Sequence, residues 1–147
     1  MKEPLRLLMI EDNPADADLA RESLEAERFA IEVTTVPDGA TALDLLVNSG
    51  YDGGPPLPHL ILLDLSLPNM NGRQVLAHLK VDPRLRLIPV VIWSSSDAST
   101  DVVSSYELGA NCYVTKPGDF KSYRSAIGVL REFWTSYAKL PAFGRAR

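Results

Sequence analysis

Apolar residues recur along this chain in two rhythms that alternate five times. Leu60 to Leu63 is a continuous apolar run that stops at a lone acid, Asp64. Leu5 to Ile10 is a second run, broken only by Arg6, and it stops at Glu11-Asp12. Ile88 to Trp93 and Ala110 to Val114 are two more, ending at Ser94-Ser95-Ser96 and at Thr115-Lys116-Pro117. Such runs predict strands buried on both faces, as in a parallel sheet. Ile31 to Val36 alternates instead, which predicts a strand near the sheet's edge. Helical spacing follows each run. A helix is predicted from Pro14, at a favoured first-turn position, to about Arg28. A second follows the turn Pro37-Asp38-Gly39, with Asp38 as its N-cap. A third spans Arg73 to Lys80 and stops at Asp82-Pro83. A fourth starts under an Asp97 cap and reaches Leu108. The last runs from Gly118-Asp119 to about Lys139. Strand then helix, repeated, predicts an α/β fold: one doubly wound parallel sheet with right-handed crossovers.

One stretch breaks the rhythm. Residues 49–58 carry Gly50, Gly53, Gly54, Pro55, Pro56 and Pro58. Connections are about 4–6 residues at the median, so this reads as a surface insertion. Composition then narrows the class. With 147 residues and 46% hydrophobic content, a single core is expected. The net charge of -4 argues against nucleic-acid binding, which calls for a basic stripe. The single cysteine, Cys112, cannot form an intramolecular disulfide, and a reducing cytoplasm is the expected compartment. No apolar stretch approaches the ~18 residues of a membrane span, and no signal peptide is visible.

In an open parallel sheet, ligands bind at the strands' carboxyl ends. Those ends therefore carry the candidate chemistry: Glu11 and Asp12 from the first strand, Asp64 from the third, Ser94 from the fourth and Lys116 from the fifth. Each alone has an ordinary reading. Glu11-Asp12 suits a helix entry, Ser94 suits an N-cap, and Lys116 suits an exposed loop. Together they place three carboxylates, a hydroxyl and an ammonium on one rim. Clustered carboxylates need a cation, and oxygen donors suit Mg²⁺, which takes one or two carboxylates plus a phosphate. A nucleophilic Asp64 with Ser94 and Lys116 as phosphate-oxygen donors forms a phosphoryl-transfer site.

Glu11-Asp12, Asp64-x-x-x-Pro68-x-x-Asn71-Gly72, Ser94-Ser95 and Lys116-Pro117 resemble the receiver domain of two-component response regulators over residues 5–130. The resemblance implies a flavodoxin-like (βα)5 domain of strand order 2-1-3-4-5. It implies Asp64 as phospho-acceptor, with Asp12, Asp64 and the Ser66 carbonyl holding Mg²⁺ and Glu11 helping through water. Ser94 becomes a hydroxyl switch, Tyr113 an aromatic switch and Lys116 a phosphoryl-binding group. The Lys116-Pro117 bond is expected to be cis. Serine at positions 66 and 96, where some receivers carry Asn and Glu, implies slow self-dephosphorylation. An aspartate-nucleophile phosphatase is disfavoured, because its second acid would stand at Ser66. A nucleotide or flavin binder would need a glycine-rich phosphate loop where Glu11-Asp12-Asn13-Pro14 stands. A scaffold-only pseudo-receiver fits poorly with the intact acids.

The insertion, Asp82-Pro83-Arg84-Leu85-Arg86, Cys112 to Pro117 and Glu132-Phe133-Trp134 look like single-domain regulators paired with phytochrome-type histidine kinases. Another sensor kinase is the alternative partner, with this chain as phosphate carrier or sink. The expected organisation is a receiver over 1–140 and a tail over 141–147, with no room for an output domain. The expected output is protein contact or onward transfer, not an enzymatic activity. In the last helix Phe120, Tyr123, Ile127, Leu130, Trp134 and Tyr137 follow heptad spacing, and the first half of this face is expected to pack on the sheet. Aromatics beyond the sheet's reach, Phe133 to Phe143, predict a homodimer through this helix. His59 and His78 are expected at the surface.

Overall fold

The computed structural model describes residues 3–26 and 31–141. The strands are β1 (Leu5–Ile10), β2 (Ile31–Val36), β3 (Leu60–Leu63), β4 (Val90–Ser94) and β5 (Cys112–Thr115). The helices are α1 (Pro14–Leu24), α2 (Gly39–Val47), α3 (Gly72–Val81), α4 (Ser99–Glu107) and α5 (Phe120–Glu132). All strand pairs are parallel, in the order β2-β1-β3-β4-β5. This is the expected doubly wound fold.

Side chains alternate across a strand, so each strand feeds two cores. On one face Leu8, Ile10, Ile61, Leu63, Val90 and Ile92 pack under α2 and α3. On the other, Leu7, Met9, Leu60, Leu62, Val91 and Trp93 pack under α1 and α5. β3 is buried throughout, which is why it reads as one apolar run. β2 alternates buried and exposed, as an edge strand should.

Helix entries follow short polar side chains. Asn13 accepts from Asp16 N, Asp38 from Thr41 N and Asp119 from Ser122 N. Asn71 and Gln74 form a reciprocal capping box, a stronger signal than the loop punctuation suggested. The fourth helix differs from expectation: its N-cap is Ala98, with no side-chain bond. Ser96 explains this, since its hydroxyl takes Ala98 N at 3.3 Å and Asp97 is not needed. α1 stops at Leu24, earlier than expected, and Arg28 lies outside the described residues. The Lys116-Pro117 bond, expected cis, is trans. Trans is the intrinsically favoured X-Pro isomer, by about 0.5–1 kcal/mol.

The 49–58 stretch is more firmly held than a surface insertion implies. Arg84 donates to Ser49 O at 2.5 Å, Leu46 O at 3.0 Å and Val47 O at 3.3 Å. It thereby adds a donor to carbonyls at the end of α2, and its guanidinium lies 4.8 Å from the Tyr51 ring centroid. Gly50 N donates to Pro55 O at 2.7 Å, with Gly50 at a φ of 85° that suits glycine. Leu57 is buried in the core, and Arg6 Nε donates to its carbonyl at 2.9 Å. His59, expected at the surface, is half-buried and accepts from Arg6 N through Nδ1.

The helical path after α5 continues as a π-helical turn over Phe133–Tyr137 and ends there, before Lys139. Thr135 Oγ1 donates back to Arg131 O at 2.6 Å, competing for the carbonyl that a regular helix would use. No helix among the described residues is long and apolar enough to cross a membrane.

Candidate functional site

Strand register assembles the rim. Ile10 lies opposite Leu63, so the next residues, Glu11 and Asp64, are neighbours, and Asp64 N donates to Ile10 O at 3.1 Å. Ser94 lies opposite Thr115, and Lys116 N donates to Ser94 O at 2.7 Å. Alternation then sorts the side chains. Glu11, Asp64 and Lys116 share the parity of residues facing α1 and α5. Ser94 and Tyr113 share the parity of residues facing the other helices.

The contacts follow this sorting. Lys116 Nζ donates to Glu11 Oε1 at 2.6 Å, Asp16 Oδ2 at 2.8 Å and Asp64 Oδ2 at 3.4 Å. Glu11 and Asp64 are buried. Asp12 is exposed. Burial is the largest influence on both partners. It pushes the Glu11 carboxyl up to about 7, with the charge of Asp64 adding and the hydrogen bond from Lys116 opposing. It works against the Lys116 charge, but hydrogen bonds to Asp16 and Glu11 and the charge of Asp64 outweigh it and hold the ammonium above its ordinary range. A hydrogen-bonded cation among buried acids is the arrangement that offsets their desolvation.

Glu11, Asp12 and Asp64 each present a carboxylate oxygen, and these oxygens lie within 4.8 Å of one another. The donors are hard, anionic and partly open to solvent, so the set fits Mg²⁺ with several waters retained. The other Asp64 oxygen, Oδ1, accepts from Ser66 N at 3.1 Å. Ser66 is exposed. Gly72 closes the loop from below: its N donates to Leu65 O at 2.9 Å, and a Cβ there would collide with Asp64 O and Leu65 Cα.

Ser94 is fully buried. Its Oγ accepts from Ser96 N at 3.2 Å and is bonded to neither Asp64 nor Lys116. Tyr113 OH donates to Ser96 O at 2.7 Å. The two residues are thus joined through Ser96 on the far side of the rim from the lysine. The hydroxyl of Ser96 donates to Asp101 Oδ2 at 2.5 Å, and Asp101 is paired with Arg73 of α3. Ser96 faces α4, not the acids.

Sequence reasoning missed Asp16. It sits three residues after the Asn13 cap, and a helical side chain points back toward the helix N-terminus, here toward the rim. That placement was available from the Asn13-Pro14 helix start.

Residues 7–128 match the model of the response regulator receiver domain. Response regulator Rcp1 of Synechocystis sp. (strain ATCC 27184 / PCC 6803 / Kazusa) is 40% identical over 139 residues, covering 95% of both chains. The structure of a phosphorylated cyanobacterial phytochrome response regulator, RcpA, aligns with a TM-score of 0.89 at 41% identity, covering 95% of this chain and 99% of that one. The Mn(2+)-bound form of Rcp1 aligns with a TM-score of 0.87 at 40% identity, covering 95% and 100%. With the acids, the lysine and the strand order in place, the family match and these likenesses agree: the chain belongs to the response regulator receiver domains.

Proposed function

We propose that Asp64 accepts a phosphoryl group from a phosphohistidine of a sensor kinase, in the presence of Mg²⁺. The observation that carries this is the Lys116 ammonium hydrogen-bonded to Glu11 and Asp64 beside the Asp12 carboxylate. An Asp64 oxygen attacks phosphorus, the P–N bond breaks, and the imidazole leaves with the electron pair. The product is an acyl phosphate. Glu11, Asp12, Asp64 and the Ser66 carbonyl would hold the metal, whose charge offsets that of the phosphoryl oxygens. Lys116 donates to one phosphoryl oxygen. Ser94 donates to another after its side chain turns from Ser96 N, and Tyr113 follows it through Ser96. The protein has no catalytic turnover of its own in this reading beyond slow loss of the phosphoryl group.

The partner kinase is of phytochrome type. Support comes from the likeness to a phytochrome response regulator over nearly the full chain. The receiver occupies 1–140, with 141–147 as a tail, and the setting is cytoplasmic. Output runs through protein contact, including a homodimer through the last helix. Val129, Phe133 and Tyr137 form an exposed stripe there, at the four-residue spacing of one helical face. The decisive experiment is incubation with Mg²⁺ and acetyl phosphate followed by intact mass. One added phosphoryl group is expected in the wild type and none in D64N. Absence of an adduct in the wild type overturns the reading.

A further inference from the structure

Lys116 has three ammonium protons, and all three are engaged. Glu11 Oε1 lies at 2.6 Å, Asp16 Oδ2 at 2.8 Å and Asp64 Oδ2 at 3.4 Å. A phosphoryl oxygen arriving on Asp64 must therefore displace one of these acceptors. Glu11 is nearly fully buried and belongs to the carboxylate cluster that fits a metal. Asp64 carries the phosphoryl group itself. Asp16 lies outside the carboxylate cluster, and its side chain is 28% exposed. Together with Leu19, Pro117 and Tyr123, it lines an open cleft of about 420 Å³ beside Lys116. Its carboxylate is the most exposed of the three and can turn to water.

We propose that Asp16 is a positioning residue, which holds the Lys116 ammonium in the unphosphorylated protein and so sets how readily Asp64 takes and keeps a phosphoryl group. An acid in the first turn of a helix is favoured by the helix dipole alone. The dipole does not bring its carboxylate closer to Lys116 than Asp64 is. Asp16 is further fixed from its own backbone: its N donates to Asn13 Oδ1 at 3.1 Å, and its O accepts from Tyr123 OH at 3.3 Å. The side chain is thus held over the rim, where it competes with the phosphoryl group for one proton donor.

The inference rests on the reading of Asp64 as acceptor, and the test separates the two. With acetyl phosphate, an Asp64 oxygen attacks phosphorus, the bond from phosphorus to the acetyl oxygen breaks, and acetate leaves with the electron pair. The rate of adduct formation, the lifetime of the adduct after donor removal and the affinity for beryllium trifluoride are measured in wild type, D16N, D16E and D18N. D16N keeps the size of the side chain and removes its charge. It is expected to form adduct about 3- to 10-fold faster, keep it longer by a similar factor and bind beryllium trifluoride correspondingly tighter. That is the scale of a charge-assisted hydrogen bond at a partly exposed carboxylate. D16E is expected to resemble wild type. D18N removes the same charge from an exposed position of the same helix and is expected to change none of these. Calorimetric Mg²⁺ affinity is expected to stay within about twofold in D16N, since a charge outside the ligand set is screened.

Identical kinetics in D16N and wild type overturn the inference, as does an equal acceleration in D18N, which would make the effect one of general charge. A change in Mg²⁺ affinity that matches the rate change overturns it too, because Asp16 would then act through the metal. If D16N is poorly folded by thermal melting, D16S is scored by the same criteria. No adduct in any protein, wild type included, strikes the acceptor reading instead.

Discussion

At the scale of single residues, the lifetime of an acyl phosphate depends on whether a neighbour can orient the attacking water. Two serines stood in the positions where amides or carboxylates do this elsewhere. The structure separates them. Ser96 gives its hydroxyl to Asp101 and cannot serve the site. Ser66 is exposed and sits two residues from Asp64, with only its backbone N engaged on the carboxylate. S66N is therefore expected to shorten the life of the phosphorylated protein by about tenfold, an effect of about 1.4 kcal/mol on the barrier, read as loss of the adduct by intact mass. An unchanged decay sinks the idea. Gly72 gives a second expectation at this scale. Its missing Cβ leaves room for the Asp64 carbonyl, so G72A should move the strand end, lower the melting temperature and weaken Mg²⁺ binding together, by thermal melting and calorimetry. These residues differ in how plainly the sequence announced them. Glu11, Asp12, Asp64 and Lys116 end apolar runs, so strand logic alone put them on one rim. Asp16 and Ser96 do not end strands. Their roles depend on where a helix turn and a loop hydroxyl point, which spacing along the chain does not encode directly.

At the scale of elements, the loop after β4 is tied to two helices by charge. Ser96 and Arg73 both bond Asp101, Arg73 Nε donates to Ser104 Oγ at 3.1 Å, and Tyr113 OH donates to Ser96 O. The same hydrogen bonds, Ser96 first and Arg73 next, hold the Asp101 carboxyl below its ordinary value of 3.8. Because the folded value lies below the unfolded one, this stabilisation is complete above the ordinary value and disappears as pH falls through the folded one. D101N should therefore melt below wild type near neutral pH, and the gap should close as the pH drops under about 4. A gap that stays constant to low pH would contradict the clamp. At the other end of the molecule, R84A removes the donors that meet three carbonyls at the end of α2. A loss of about 2–3 kcal/mol is expected, or a fall of about 5–10 °C in melting temperature for a chain of this size, with acceptance of phosphoryl at Asp64 retained. The insertion thus looks variable in composition but is anchored by an arginine outside it. Glycine and proline announced the break in rhythm, whereas the anchor lies some thirty residues further along, at Arg84, and only the tertiary fold brings it back.

At the scale of the whole molecule, the question is which surface meets another protein. Heptad spacing marks a seam from Phe120 to Tyr137, with its first half expected on the sheet and its later aromatics at an interface. The structure divides that seam. Tyr123 and Ile127 are buried on the sheet, and Leu130 and Trp134 pack against the same core. The inner part of the seam is accordingly intramolecular, and a helix has only one face to give to its own sheet. Phe120 at one end and Tyr137 at the other are left outside, 60% and 71% exposed. Val129 and Phe133 lie on the outward face with Tyr137, also exposed. Phe133 stacks edge-on against Trp134 at 5.0 Å, so the outward stripe is braced by the residue that anchors the helix inward. A ring held in this way loses little side-chain entropy on association, and it is this stripe, not the seam as a whole, that the proposed homodimer would bury. F133A/Y137A leaves the inner contacts of Tyr123, Ile127 and Trp134 in place and should sediment as a monomer at concentrations where wild type sediments as a dimer. If the variant and wild type sediment alike, with and without beryllium trifluoride and Mg²⁺, the last helix is not the dimer surface.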